Sequence, residues 1–373
     1  MQQTEYLDNL DESQRKAVEY IEGPSLVIAG AGSGKTRVLT TKIAFLTAHG
    51  LKPWNILALT FTNKAAREMR ERVAAIVGEE VAKYLVMGTF HSVFAKILRK
   101  EAPLLGYTSK FTIYDRTDST SLVKNIVKGM GLDVKVYKPS IVLSKISQAK
   151  NNLILAEEYF NDPDILKRDD SDKVPEVGHI YMKYQQRLKA SDAMDFDDLL
   201  VKMYILLTTH EEVRRKYVDR FNFVLVDEYQ DTNRTQARIL WLLTRDRQML
   251  CVVGDDAQSI YAFRGADIGN ILNFTRIFPD ARLFKLERNY RSTKSIVDAA
   301  NSVIAHNRNR IPKDVYSLAG AGQKIEIYPT ESDVEEAERV VKSVCKTNAD
   351  NGVPYSEIAV LYRKNAQSRV IEE

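Results

Sequence analysis

The chain has 373 residues, 44% hydrophobic and 28% charged, enough to bury a core and form two or more domains. A net charge of +4, with acids and bases interspersed, permits a polyanionic partner without requiring one. The polar, acidic start MQQTEYLDNLDESQ and the lack of an apolar run of about eighteen residues argue against a membrane span or a secretory signal, so a cytoplasmic, membrane-free protein is expected. Its two cysteines, Cys251 and Cys345, have neither paired spacing nor neighbouring histidines, which argues against a structural disulfide or zinc site.

In chain order, the first element is a helix on which Leu10, Ala17, Val18 and Ile21 form an apolar face that also carries Gln14. Apolar runs follow at SLVIA (25–29), ILALTF (56–61), YLVMGTF (84–90), FVLVDE (223–228) and MLCVVGD (249–255), separated by helical patterns. Continuous apolar runs read as strands covered on both faces, so an α/β fold with a parallel sheet and ligands at the carboxyl ends of its strands is expected. Residues 110–193 are mostly polar and helical, an insertion between 1–109 and 194–283. A new unit is expected from 284, with strands at LFKLE, KIEIYPT and EIAVLYR and a helix at SDVEEAERVVKSVCK. Two or three strands are too few for a complete sheet, so 284–373 is expected to be an incomplete domain.

The stretch SLVIAGAGSGKT is a strand, a glycine turn and a helix start. Backbone N–H groups of Ala29, Gly30, Ala31, Gly32, Ser33 and Gly34 can point inward at a helix amino end, making a phosphate cradle. Lys35 is expected on the β- and γ-phosphates of ATP and the Thr36 hydroxyl on Mg²⁺; Ala29 stands where the usual pattern has glycine. FVLVDEYQD supplies the acids: Asp227 would hold magnesium through water, and Glu228 would orient and deprotonate the attacking water. Gln14 is read either as an adenine contact or as a capping residue, and Arg291 of NYRS either as a γ-phosphate contact or as a solvated charge.

Thr60, Phe61, Thr62, Asn63 and Lys64 follow a strand end, where hydroxyls, an amide and a lysine suit a sugar-phosphate track and Phe61 a base platform; Phe61 as core is the alternative. Thr89, His91 and Ser92 follow another strand, and YAFRG offers Tyr261 and Phe263. His91 beside Ser92 lacks the glycine elbow and orienting acid of a hydrolase. Asp195, Asp197 and Asp198 are read as capping a helix rather than as a nuclease metal site.

From residue 8 onward the chain resembles the UvrD/PcrA/Rep group of superfamily 1 DNA helicases. The Q motif corresponds to NLDESQRKAV, motif I to AGAGSGKTR, Ia to ALTFTNKAAREM, Ib to GTFHS, II to VDEYQDTN, III to VVGDDAQSIYAFRGA and IV to LERNYRS. The resemblance implies a RecA-like first domain (1–109 and 194–283), the helical insertion (110–193) and the beginning of a second RecA-like domain (284–373). It implies Gln14 as adenine reader, Tyr290 stacking on the base, Arg37 and Arg291 on phosphates, Gln258 as the sensor between γ-phosphate and DNA, and Arg264 coupling the site to DNA. Phe263 stands where several relatives carry tryptophan, a smaller platform.

The implied function is an ATP-dependent motor moving 3′ to 5′ on single-stranded DNA and opening duplex junctions, in repair or replication. The alternatives are a nucleotide-gated single-stranded-DNA-binding module and the helicase part of a helicase-nuclease. No strand separation and little turnover are expected from these 373 residues alone, acting as a monomer.

Overall fold

A computed structural model describes residues 5–373, which divide into two compact units, one ending at Ala321 and the other spanning Gly322–Glu373. The first is built on a six-stranded sheet of β1 (Ser25–Ala29), β2 (Ile56–Thr60), β3 (Val86–Thr89), β6 (Phe223–Val226), β7 (Leu250–Gly254) and β8 (Arg282–Leu286). Their spatial order is β3-β2-β6-β7-β1-β8, with every pairing parallel. All six carboxyl ends therefore lie along one edge.

The five apolar runs became five of the six strands of this α/β sheet, the four inner ones and β3 at one edge, and the alternation of the inner four shows why. Leu26 and Ile28, Leu57 and Leu59, Val224 and Val226, and Leu250 and Val252 point into one core. Val27 and Ala29, Ile56 and Ala58, Phe223 and Leu225, and Cys251 and Val253 point into the other. Helices cover both faces, so neither parity of residue can be polar. Helices Phe90–Glu101, Phe196–Thr209 and Arg234–Thr244 lie on the first face; Glu12–Glu19, Lys35–Ala48 and Asn63–Val77 lie on the second.

At the expected boundary of 284, residues Arg282–Leu286 form an outer strand of this sheet. In β8 only Phe284 and Leu286 are buried while Arg282, Leu283 and Lys285 stay exposed, the pattern of an edge strand covered on one face. It lies on the open side of β1, with Ile28 opposite Lys285 and Ala29 opposite Leu286.

Between β3 and β6 the chain makes a helical body with its own core, centred on Val123, Ile146, Ile180, Tyr181 and Tyr184. The short strands β4 (Thr112–Tyr114) and β5 (Ala193–Asp195) pair in parallel where the chain enters and leaves it, a pairing the apolar pattern did not announce. Asp195 caps helix Phe196–Thr209, as expected, and its carboxylate also receives Lys150 Nζ at 2.6 Å and the Tyr184 hydroxyl at 2.8 Å. Lys150 reaches Asp198 at 2.9 Å as well. One buried lysine thus balances two buried carboxylates and ties the insertion to the sheet domain.

The second unit holds helix Asp333–Asn351, capped by Ser332 and ended by Gly352 at φ 64°, with the short helix Ala366–Glu372 packed on it. KIEIYPT and EIAVLYR, expected as strands, are not strands: among the described residues they pair with no other segment, and Ile327 and Leu361 are 86% and 93% exposed. A β-type sequence becomes a strand only beside another backbone that takes its N–H and C=O groups.

Candidate functional site

The loop after β1 closes on the amino end of helix Lys35–Ala48 through two left-handed glycines, Gly32 at φ 70° and Gly34 at φ 89°. A Cβ on Gly32 would lie 2.8 Å from Arg291 Cβ, and one on Gly34 would lie 2.7 Å from Gln14 Nε2. The glycines are required by what packs on the loop as well as by its turn. The NYRS segment is hydrogen-bonded directly to it: Asn289 Nδ2 donates to the Ala31 carbonyl at 2.7 Å, and the Tyr290 amide donates to the Gly32 carbonyl at 2.9 Å. Arg291, expected to reach this loop from the start of the next unit, lies against its wall, because β8 runs alongside β1 and delivers it there.

A cavity of about 530 Å³ opens over this loop, lined by Ala31 to Arg37, Gln14, Glu228, Gln258, Tyr290 and Arg291. Lys35 Nζ lies 3.0 Å from Glu228 Oε2, which also accepts from Gln230 Nε2 at 2.9 Å. Glu228 itself sits at φ 49°, in a left-handed conformation that a non-glycine residue adopts at a cost, and this turns its carboxylate back toward Lys35. Asp227 is buried at the end of β6, where its amide donates to the Leu59 carbonyl. Burial, reinforced by the charge of Glu228 and partly offset by Lys35, raises the Asp227 carboxyl to about 7; the same influences raise Asp231 to about 6. Asp231 Oδ1 is buried without a partner. A carboxylate held this way gains from a nearby cation, and the Thr36 hydroxyl with Asp227 is a donor set that suits Mg²⁺ completed by phosphate and water.

The amide of Gln14 is engaged. Its Oε1 accepts from the Asp11 amide at 3.2 Å, its Nε2 donates to the Ser33 carbonyl at 2.8 Å, and its backbone amide donates to Asp11 Oδ1 at 2.8 Å. The capping role is therefore realised, while one amide hydrogen and one lone pair remain for a ligand. Asp11 also accepts from the Tyr290 hydroxyl at 2.6 Å, so the two residues expected to flank a base are held by one carboxylate. Helix Glu12–Glu19 is in turn fixed by buried Lys42, whose Nζ donates to the Ala17 carbonyl at 2.8 Å and to the Tyr20 carbonyl.

A second cavity, of about 1000 Å³, separates the sheet domain from the helical insertion. On its sheet side Phe61, Tyr261 and Phe263 form an aromatic row with centroid separations of 5.4 and 5.9 Å, and the Arg264 guanidinium lies 5.4 Å from the Tyr261 ring and 5.6 Å from that of Phe263. Phe263 is 78% exposed, and Phe61, for which a core place was the alternative, is only partly buried and belongs to neither core cluster of the sheet. His91 lines the same cavity edge-on to Phe196, and burial lowers its imidazole to about 4, leaving it neutral near pH 7.

Not every expected residue reaches a cavity. Thr60 is fully buried, its hydroxyl oxygen without a partner, because the last residue of β2 is still inside the sheet; it offers nothing to DNA. The Thr89 hydroxyl is spent capping helix Phe90–Glu101 through the Ser92 amide, and Thr62 caps helix Asn63–Val77, leaving Asn63 and Lys64 at its exposed first turn. Ala29 and Gly30 lie beneath the loop, outside the cavity lining.

Conversely, several site residues were missed. Glu68 and Arg72 line the loop cavity from helix Asn63–Val77, a spacing of four that puts both on one face. Gln230 joins the two strand ends: its Nε2 donates to Glu228 and its Oε1 accepts from the Asp255 amide at 3.0 Å. Asp255 in turn accepts from Gln258 Nε2 at 2.7 Å. Lys313, buried 3.0 Å from Asp255 and 2.5 Å from Asp256, had no signal at all, being one basic residue among many in an irregular segment.

The UvrD/REP helicase N-terminal domain model matches residues 10–279, and the UvrD-like helicase C-terminal domain model matches residues 284–373. The ATP-dependent DNA helicase PcrA of Staphylococcus epidermidis is 46% identical over 366 residues, covering 98% of this chain and 49% of that protein. The proteins of the same name from Staphylococcus aureus and Leuconostoc citreum are 44% and 43% identical over 369 and 367 residues, covering 98% of this chain and 49% and 48% of their own lengths. The chain thus spans about half the length of the curated relatives it matches. The chain belongs to the UvrD/REP helicase family.

Proposed function

We propose that the chain is the ATP-hydrolysing, strand-gripping part of a DNA translocase that runs 3′ to 5′ on single-stranded DNA and opens duplex in front of it. One observation carries this reading: the residues after β7 run from one cavity to the other. Gln258 lines the phosphate-loop cavity, Ser259 the aromatic groove, and Tyr261 stacks on Phe61. A change at the nucleotide is therefore felt at the DNA platform through three residues of chain.

In this reading the loop amides, Lys35 and Arg291 bind the triphosphate, Tyr290 covers the base and Gln14 reads its edge with its free hydrogen and lone pair. Thr36 and Asp227 would hold Mg²⁺, which supplies charge neutralisation at the phosphates. Glu228 is released from Lys35 when phosphate takes the lysine, which frees its carboxylate to orient and deprotonate water. The strand lies along Phe61, Tyr261 and Phe263, gripped by stacking, while neutral His91 offers a hydrogen bond rather than a charge.

The test compares phosphate release with and without oligothymidylate. Lys35→Ala is expected to abolish both rates, and Gln258→Ala to keep the basal rate while losing most DNA stimulation. Wild-type turnover in the lysine variant sinks the site assignment; full stimulation in the glutamine variant sinks the coupling.

A second reading, a nucleotide-gated single-stranded-DNA-binding module without strand separation, is favoured by the unpaired segments 324–330 and 357–363, which contribute no sheet behind a second grip. Unwinding of a tailed duplex by the chain alone would refute it.

A further inference from the structure

A third cavity, of about 430 Å³, lies on helix Arg234–Thr244, the helix that follows the DEYQD carboxylates. Arg234, Arg238, Trp241 and the cap residue Arg245 recur at intervals of four, three and four, so all share one face. Tyr204 and Thr208, also four apart, form the facing wall, and the turn at Asn152 and Leu153 closes one end, with Leu153 at φ 59°. Among the described residues no acidic side chain lines this space. Arg234 and Arg238 are exposed and form no ion pair among the described residues, while the Arg245 guanidinium stacks 4.7 Å over the Trp241 ring and lies 3.5 Å from Asp246.

The first turn of the same helix is firmly held beside the arginine face. The Thr235 hydroxyl donates to the Lys150 carbonyl at 2.8 Å, and Asn233 Nδ2 donates to Asn151 Oδ1. Asn152, the next residue, lines both this cavity and the aromatic groove. The arginine face thus meets the groove at Asn152.

We propose that this face is a second nucleic-acid subsite, where Arg234, Arg238 and Arg245 hold phosphodiester oxygens of the single strand after it passes Asn152. The inference rests on the groove reading above. Guanidinium groups match phosphate oxygens in bidentate geometry, and three of them over roughly 16 Å of helix form a track rather than a point site. This meeting with the groove favours a nucleic-acid strand over an acidic polypeptide.

The test titrates the chain and its Arg234→Gln/Arg238→Gln double variant with oligothymidylates of about 6 and about 20 nucleotides at several salt concentrations, read by fluorescence anisotropy. For the long oligonucleotide the slope of log affinity on log salt is expected to fall by about 1.4 in the double variant, with roughly a tenfold loss of affinity at low salt. Short-oligonucleotide binding stays unchanged, and Arg234→Lys/Arg238→Lys keeps the wild-type slope.

An unchanged slope on the long oligonucleotide, or equal losses on both lengths, overturns the proposal. So does competition by polyglutamate that the double variant abolishes while the DNA slope stays the same, since that assigns the face to an acidic protein. Phe61→Ala separates the two readings: if it weakens neither length, it is the groove that has failed.

Discussion

The phosphate-loop cavity and the aromatic groove are built on opposite principles. In the first, the groups expected to meet the ligand are already tied: Gln14 to Ser33, Lys35 to Glu228, Gln258 to Asp255 and Tyr290 to Asp11. In the second, the rings of Phe61 and Phe263 line a large space, with Tyr261 packed between them and Arg264 beside it. A charged ligand at a fixed place is served by groups already held near it, so that its arrival exchanges one partner for another, as at Lys35, and moves little else. A strand that must slide is served by stacking that tolerates any base.

The contrast is broken hardest at Glu228. Glu228→Gln removes the carboxylate but keeps the shape, so hydrolysis should fall by about 10³-fold while ATP still binds, measured by single-turnover phosphate release beside nucleotide titration. Unchanged turnover would show that the carboxylate held by Lys35 takes no part in the chemistry.

Gly32→Ala asks whether the fixed wall is as tight as it looks. With a Cβ 2.8 Å from Arg291 and 2.9 Å from Asn289, the NYRS segment must move, and nucleotide affinity should drop by about tenfold or more, read by titration with a fluorescent ATP analogue. On the groove side, Phe61→Ala is expected to cost about 1–3 kcal/mol of single-stranded-DNA affinity while leaving ATP binding intact. A variant that loses both ligands together would mean the two cavities are not separable.

A pH effect separate from either ligand concerns His91, whose imidazole is held near 4 against an ordinary value of about 6.5. Between these values the unfolded chain binds more protons than the folded one, so stability is full above about 6.5 and falls toward pH 4, by about 1–3 kcal/mol. Denaturant midpoints at pH 7.5 and 5 should show this drop, and His91→Gln should reduce it.

Much of the site was legible because its signals are local. The glycines, Lys35 and Thr36 occupy one turn between a strand and a helix, and Asp227 and Glu228 end an apolar run, so spacing alone puts them at a sheet edge. Thr60 was misread for the same local reason: a polar residue at a strand end looks like rim, and only the depth of the sheet shows that it is one residue short of it. Gln230 and Lys313 act across 25 and 57 residues of separation, on Asp255 and Asp256, and no periodicity encodes such partners.

Sequence by itself determined the alternation that buries both faces of the inner strands, the left-handed glycines of the loop and the carboxylates at its neighbour's end, because each is a property of consecutive residues. Tertiary structure alone decided that Arg282–Leu286 joins the first sheet while KIEIYPT and EIAVLYR stay unpaired. Strand-forming residues specify a willingness to pair, but hydrogen bonds need a second backbone, and which edge is open is known only once the sheet is assembled. The same holds for the arginine face of helix Arg234–Thr244: its spacing is written in the chain, but its meeting with the groove at Asn152 exists only in the folded molecule.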